Sequence, residues 1–112
     1  MAVTFISHAK DVLSAEQAAK NRALEIIGGK AESYAKKICP VDTGRLRNSI
    51  THQQYDDDTE VVGTNVEYAP YVELGHHTQS GSFVAGKPFL RPAAEGHSAE
   101  YKDIIQRVMK NA

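Results

Sequence analysis

The stretch Pro40-Val41-Asp42-Thr43-Gly44-Arg45-Leu46-Arg47-Asn48-Ser49-Ile50 decides the fold, because it ends one element and begins another within eleven residues. Pro40 has no backbone donor and forbids continuation of a preceding helix. Asp42 or Thr43 can cap a short turn over Gly44 to Asn48. Leu46 and Ile50, four residues apart, face the same way and are candidate core residues.

Upstream, the pattern predicts a long helix ending at Pro40. Ser14 followed by Gln17 is a capping-box spacing. Apolar residues recur at Ala15, Ala19, Ala23, Ile27, Ala31, Tyr34 and Ile38, close to the helical period, with Leu24, Ile26 and Ala35 widening the stripe. Lys36 and Lys37 suit the negative end of the helix dipole. Gly28-Gly29 interrupts the middle and predicts a bend. Most of the stripe is small, so its packing partner must approach closely.

Downstream, Ser49 to Tyr55 alternates weakly, Asp56-Asp57-Asp58 reads as a turn, and Glu60 to Thr64 reads as the returning strand. Tyr68-Ala69-Pro70-Tyr71-Val72-Glu73-Leu74-Gly75 predicts a strand exit, one helical turn and a glycine stop. Residues 75–87 (GHHTQSGSFVAGK) read as a long polar loop. Gly86-Lys87-Pro88-Phe89-Leu90-Arg91-Pro92-Ala93 is a two-proline entry to a final helix, which starts near Pro92 and runs through Gly96, with Ser98 as an alternative cap. Tyr101, Ile104, Ile105, Val108 and Met109 mark its apolar face. Phe89 and Tyr71 are expected to cover the same side of the sheet as Ile104 and Val108. The whole is an α+β single domain over residues 1–112, two helices on a small antiparallel sheet, with a mobile segment at 1–13.

Length and composition set the limits. The chain has 112 residues, 41% apolar and 24% charged, which is a globular composition for one domain. Net charge is −1, no electrostatic footprint for a duplex nucleic-acid binder. No apolar run reaches membrane-spanning length, and MAVTFISHAK lacks the layout of a secretion signal. The charge is segregated, however: net +3 over residues 1–54, −6 over 55–75, and +2 over 76–112. Such segregation reads either as a solvated acidic hairpin tip or as an acidic face, Asp56, Asp57 and Asp58, meeting a basic one around Arg45 and Arg47 on a neighbouring subunit.

Catalytic and metal-binding patterns are not found. There is no nucleophile elbow, phosphate loop or C-x-x-C pair. Adjacent His76 and His77 diverge, and Cys39 before Pro40 reads as a small packed thiol. The expectation is no enzyme, no cofactor and no metal.

The order of long helix, PVDTGRLRNSI, hairpin, EYAPYVELG, polar loop, KPFLRPA and last helix resembles the tail-completion or neck proteins of long-tailed bacteriophages and prophages, also described as head–tail connector, head–tail joining or minor capsid proteins. The resemblance covers roughly residues 15–110. Its motif positions here are Pro40, Asp42, Thr43, Gly44, Leu46, Ser49, Tyr68, Ala69, Tyr71, Glu73, Gly75, Pro88, Phe89, Leu90, Pro92 and Ala93. It implies a structural virion protein, assembled in the bacterial host cytoplasm, that forms a six-fold ring joining the DNA-filled head to the tail. Its implied partners are other copies of itself and neighbouring neck and tail proteins, with no membrane, small-molecule substrate or specific nucleic-acid sequence. Two alternatives stay open: a tail terminator ring that caps the tube, and a small prophage-encoded regulatory binding protein.

Overall fold

A computed structural model describes residues 3–8, 17–41 and 44–110. The predicted Ser14 cap, Ala15, and the capping pair Asp42 and Thr43 lie outside the described residues.

Helix α1 spans Gln17–Ile38 and runs without interruption through Gly28-Gly29. Ala19, Ala23, Leu24, Ile27, Gly28, Ala31 and Ala35 are its buried face, as the small-residue stripe required. Ile26 and Ile38, assigned to the stripe from sequence, are instead exposed. Gly44, at a φ of 84°, turns the chain into the short helix α2 (Arg45–Ser49), whose Leu46 is buried. That positive φ is cheap only for glycine.

The sheet comes from two sources. Strands β2 (Thr51–Asp56) and β3 (Thr59–Thr64) form the expected hairpin, with Asp57-Asp58 at its turn and a register shift between Gln54 and Asp56. Sequence reasoning placed no element before the long helix, yet Val3–His8 is a strand, β1, antiparallel to β3 from Val3 opposite Thr64 to His8 opposite Thr59. The strand order is therefore β1-β3-β2, with β3 in the middle. Its central position explains why five of its six residues are buried.

Helix α3 (Ala69–Leu74) ends at Gly75, whose φ is 86°. The segment read as a loop carries a small hairpin, β4 (Gly75–His77) against β5 (Phe83–Ala85). The final helix is two helices, α4 (Leu90–Glu95) and α5 (Ser98–Lys110). It does not run through Gly96: that residue donates its N–H to Pro92 O at 2.8 Å and closes α4, and the alternative start at Ser98 is the one observed.

The core lies where α1 and α4 cover the sheet and α5 packs on α1. Phe89, Leu24, Ile27, Ile50 and Leu90 are its largest fully buried side chains, with Tyr101 and Ile105 from α5 and Ile104, Val108 and Met109 packed beside them. Tyr71 does not join them. It is 59% exposed, on the outward side of α3, so Phe89 and Tyr71 do not cover a common face.

Candidate functional site

Two of the three motif segments are joined by one side chain. Glu73 is 2% exposed, and its carboxylate accepts the backbone N–H groups of Phe89 and Leu90 at 2.9 Å and of Arg91 at 3.2 Å. These are orphan donors of the first turn of α4, which a carboxylate satisfies with charge-assisted bonds. Lys87 N–H donates to Val72 O at 2.7 Å, and a Cβ at Gly75 or Gly86 would overlap backbone of the other's segment. EYAPYVELG and KPFLRPA are thus one folded unit. The first motif meets this unit through Arg45, which pairs with Glu67, while its Ser49 hydroxyl donates to Leu46 O at 2.6 Å and hydrogen-bonds the Thr64 hydroxyl of β3. Ala69, Leu90 and Ala93 are core residues, and Tyr101 Oη donates to Ala93 O. Pro88 is exposed and Pro92 half-buried. The motif residues described here therefore account mainly for scaffold.

The charged candidates separate into two poles. Gln17 Nε2 donates to Asp57 O at 3.0 Å, so the acidic turn sits beside the first turn of α1. Asp58 N–H donates to Asp56 Oδ1, which leaves the Asp57 side chain outward on an exposed turn. Lys36 and Lys37 occupy the last turn of the same helix, nineteen residues on, roughly 28 Å away at 1.5 Å per residue. There they line an open cleft with Gly29, Glu32, Ser33 and Arg47, and Lys36 pairs with Glu32 at 3.1 Å. Arg45, grouped with Arg47 from sequence, makes a two-pronged pair with Glu67 at 3.1 and 3.2 Å and lies over the Tyr68 ring. The guanidinium holds the Glu67 carboxyl below the usual carboxylate range. A groove lined by Pro40, Leu46, Tyr68 and Val72 opens beside it, so the unit that bears the small hairpin is rooted at the basic end of α1.

His76, His77 and Cys39 do not converge. Cys39 is buried at the end of α1, and burial raises its thiol pKa. His76 lies edge-on to Tyr71 and His77 edge-on to Phe83, both on the exposed hairpin. A different trio comes together, which sequence reasoning missed: Glu25, His52 and Glu60. His52 Nδ1 is 2.7 Å from Glu60 Oε2, a direct hydrogen bond, and His52 Nε2 is 3.8 Å from Glu25 Oε1. Glu60 is 2% exposed, and burial pushes its carboxyl above the ordinary range while the His52 hydrogen bond draws it back in part. The pair lies against Gly28, where any Cβ would collide with both side chains. Gly28 is therefore a close-approach residue, and the sequence carried a sign of it in a glycine that interrupts an otherwise apolar stripe.

A family model described as "Bacteriophage HK97-gp10, putative tail-component" matches residues 5–75, more than half of the chain. The chain belongs to the HK97-gp10-like family of phage tail components. No curated protein and no solved structure matches it.

Proposed function

We propose that this chain is a neck protein that forms a ring between the DNA-filled head and the tail. Membership in a tail-component family supports a structural role. The observation that carries the ring reading is the separation of the Asp56–Asp58 turn from the Lys36, Lys37 and Arg47 cleft along the length of α1. Two different, oppositely charged surfaces on one subunit suit a head-to-tail contact, which closes into a ring when the rotation permits. Arg47 and the two lysines make up the receiving side, while Arg45 serves its own subunit through Glu67.

Electron microscopy of particles made without this protein tests the reading. A joining role leaves filled heads beside finished tails of normal length. Overlong tails identify a tube terminator instead, and normal virions remove both structural roles in favour of a regulatory one.

A further inference from the structure

The small hairpin is held at its base, but its strands are left in water. All of its strand residues except the half-buried Gly75 are exposed, including Phe83 at 58% and Val84 at 45%, and Tyr71 and Leu74 extend the apolar surface onto α3. It packs chiefly on α3. Two three-residue strands with both faces in water are marginal unless something covers them.

A second surface needs cover as well. Among the described residues β2 is an outer strand of its sheet, and its residues other than His52 are exposed, Tyr55 at 71%. THQQYD contains no Lys or Pro, two common protections of a free edge. The opposite outer strand, β1, has α4 beside it. Charge matches the two surfaces. Residues 74–94, which contain the hairpin, carry Lys87 and Arg91 and no carboxylate side chain. Residues 48–66, which contain β2, carry Asp56, Asp57, Asp58 and Glu60 and no Lys or Arg. The hairpin is rooted at the basic end of α1 and the β2 turn lies at the other, so the match is between copies.

We propose that the β4–β5 hairpin is a docking arm that adds to the free edge of β2 in a second copy of this chain, with Phe83 and Val84 against Tyr55 and Lys87 facing the Asp56–Asp58 turn. Strand addition satisfies the backbone groups of both edges, and the apolar and charged side chains set the register. The contact rests on the ring reading above and adds the hairpin and Lys87 to the basic side that receives the acidic turn.

The full-length chain carrying Cys39→Ser, checked for native circular dichroism, provides the test. One version adds Gln53→Cys on β2 and another adds Val84→Cys on β5. Mixed and oxidised with copper–phenanthroline, they give a disulfide-linked pair at least about tenfold above that of Val84→Cys with a Lys102→Cys control on α5, since docking raises the local thiol concentration. Adding Phe83→Ser, a change at an exposed site, cuts the yield by about tenfold or more. A yield at the control level overturns the proposal. If light scattering then still finds a closed oligomer, the ring reading survives with another contact. A specific cross-link on a double-cysteine chain that grows into open-ended polymers keeps the docking arm and removes the ring.

Discussion

The carboxylate of Glu73 fixes the backbone of Phe89, its Oε1 accepting the Phe89 N–H at 2.9 Å in a fully buried setting. Phe89 itself is 0% exposed, so the largest fully buried side chain is positioned by an acid sixteen residues earlier.

Glu73→Gln leaves one oxygen and an amide group facing three backbone donors, and so strands at least one of them. Hydrogen bonds to a charged acceptor contribute about 1.5–3 kcal/mol, and the variant is expected to lose about 2–4 kcal/mol. A urea titration reads the loss as a lower midpoint with an unchanged slope. A midpoint equal to that of the parent would show that the carboxylate is dispensable.

The two adjacent glycines of α1 should respond oppositely to alanine. Gly29 is exposed, a Cβ there would meet only His52 Nε2 at an ordinary 4.0 Å, and Gly29→Ala stabilises by about 0.5–1 kcal/mol through helix propensity. Gly28→Ala must displace the half-buried His52 and the buried Glu60 bonded to it, and costs about 1–3 kcal/mol despite the same propensity gain. Thermal melts of the two variants check this, and shifts of the same sign would refute the close-approach role.

The Glu60 carboxyl titrates above the ordinary range in the folded chain because it is buried. Over that interval the native state holds a proton that the unfolded chain has released, so stability falls as pH rises from the usual carboxylate value through the raised one. Glu67 and Glu100, held low by Arg45 and by Tyr34 respectively, act with the opposite sign but are common to both proteins being compared. Glu60→Gln is therefore expected to reduce the fall in stability across this window relative to the parent. Denaturant midpoints measured from acid to neutral pH decide it, and parallel curves would place the Glu60 titration elsewhere.

Reversing the exposed turn with Asp57→Lys and Asp58→Lys is expected to weaken head–tail joining while the melting temperature stays near that of the parent. Infectious titre together with micrographs of separated heads and tails provides the measurement. Undiminished assembly would exclude the acidic turn from subunit contacts.

What could be read from sequence was whatever local punctuation controls. Pro40, Gly44 and Gly75 stop or turn the chain through their own backbone limits, and the α1 stripe repeats within a single element. What escaped depends on partners far along the chain. A strand at Val3–His8 makes sense only beside β3, more than fifty residues later. Glu73 looks solvated until the segment that begins at Phe89 delivers three donors to it. Gly28 looks like a flaw in a helix until His52 and Glu60 fill the space above it. Phe83 and Val84 were hidden in a segment whose composition is polar. Tyr71 was misplaced because a short helix gives too few residues to define its buried side.

The middle position of β3 has a consequence for synthesis on the ribosome. Its two flanking strands are translated on either side of it, and the first leaves the exit tunnel long before the strand it needs exists. The nascent amino-terminal stretch therefore waits without its template while the α1 segment emerges, and loop-closure entropy makes that distant pairing a late event. A host chaperone that shields such a stretch would have its chance in that interval, before the hairpin that receives it has been made.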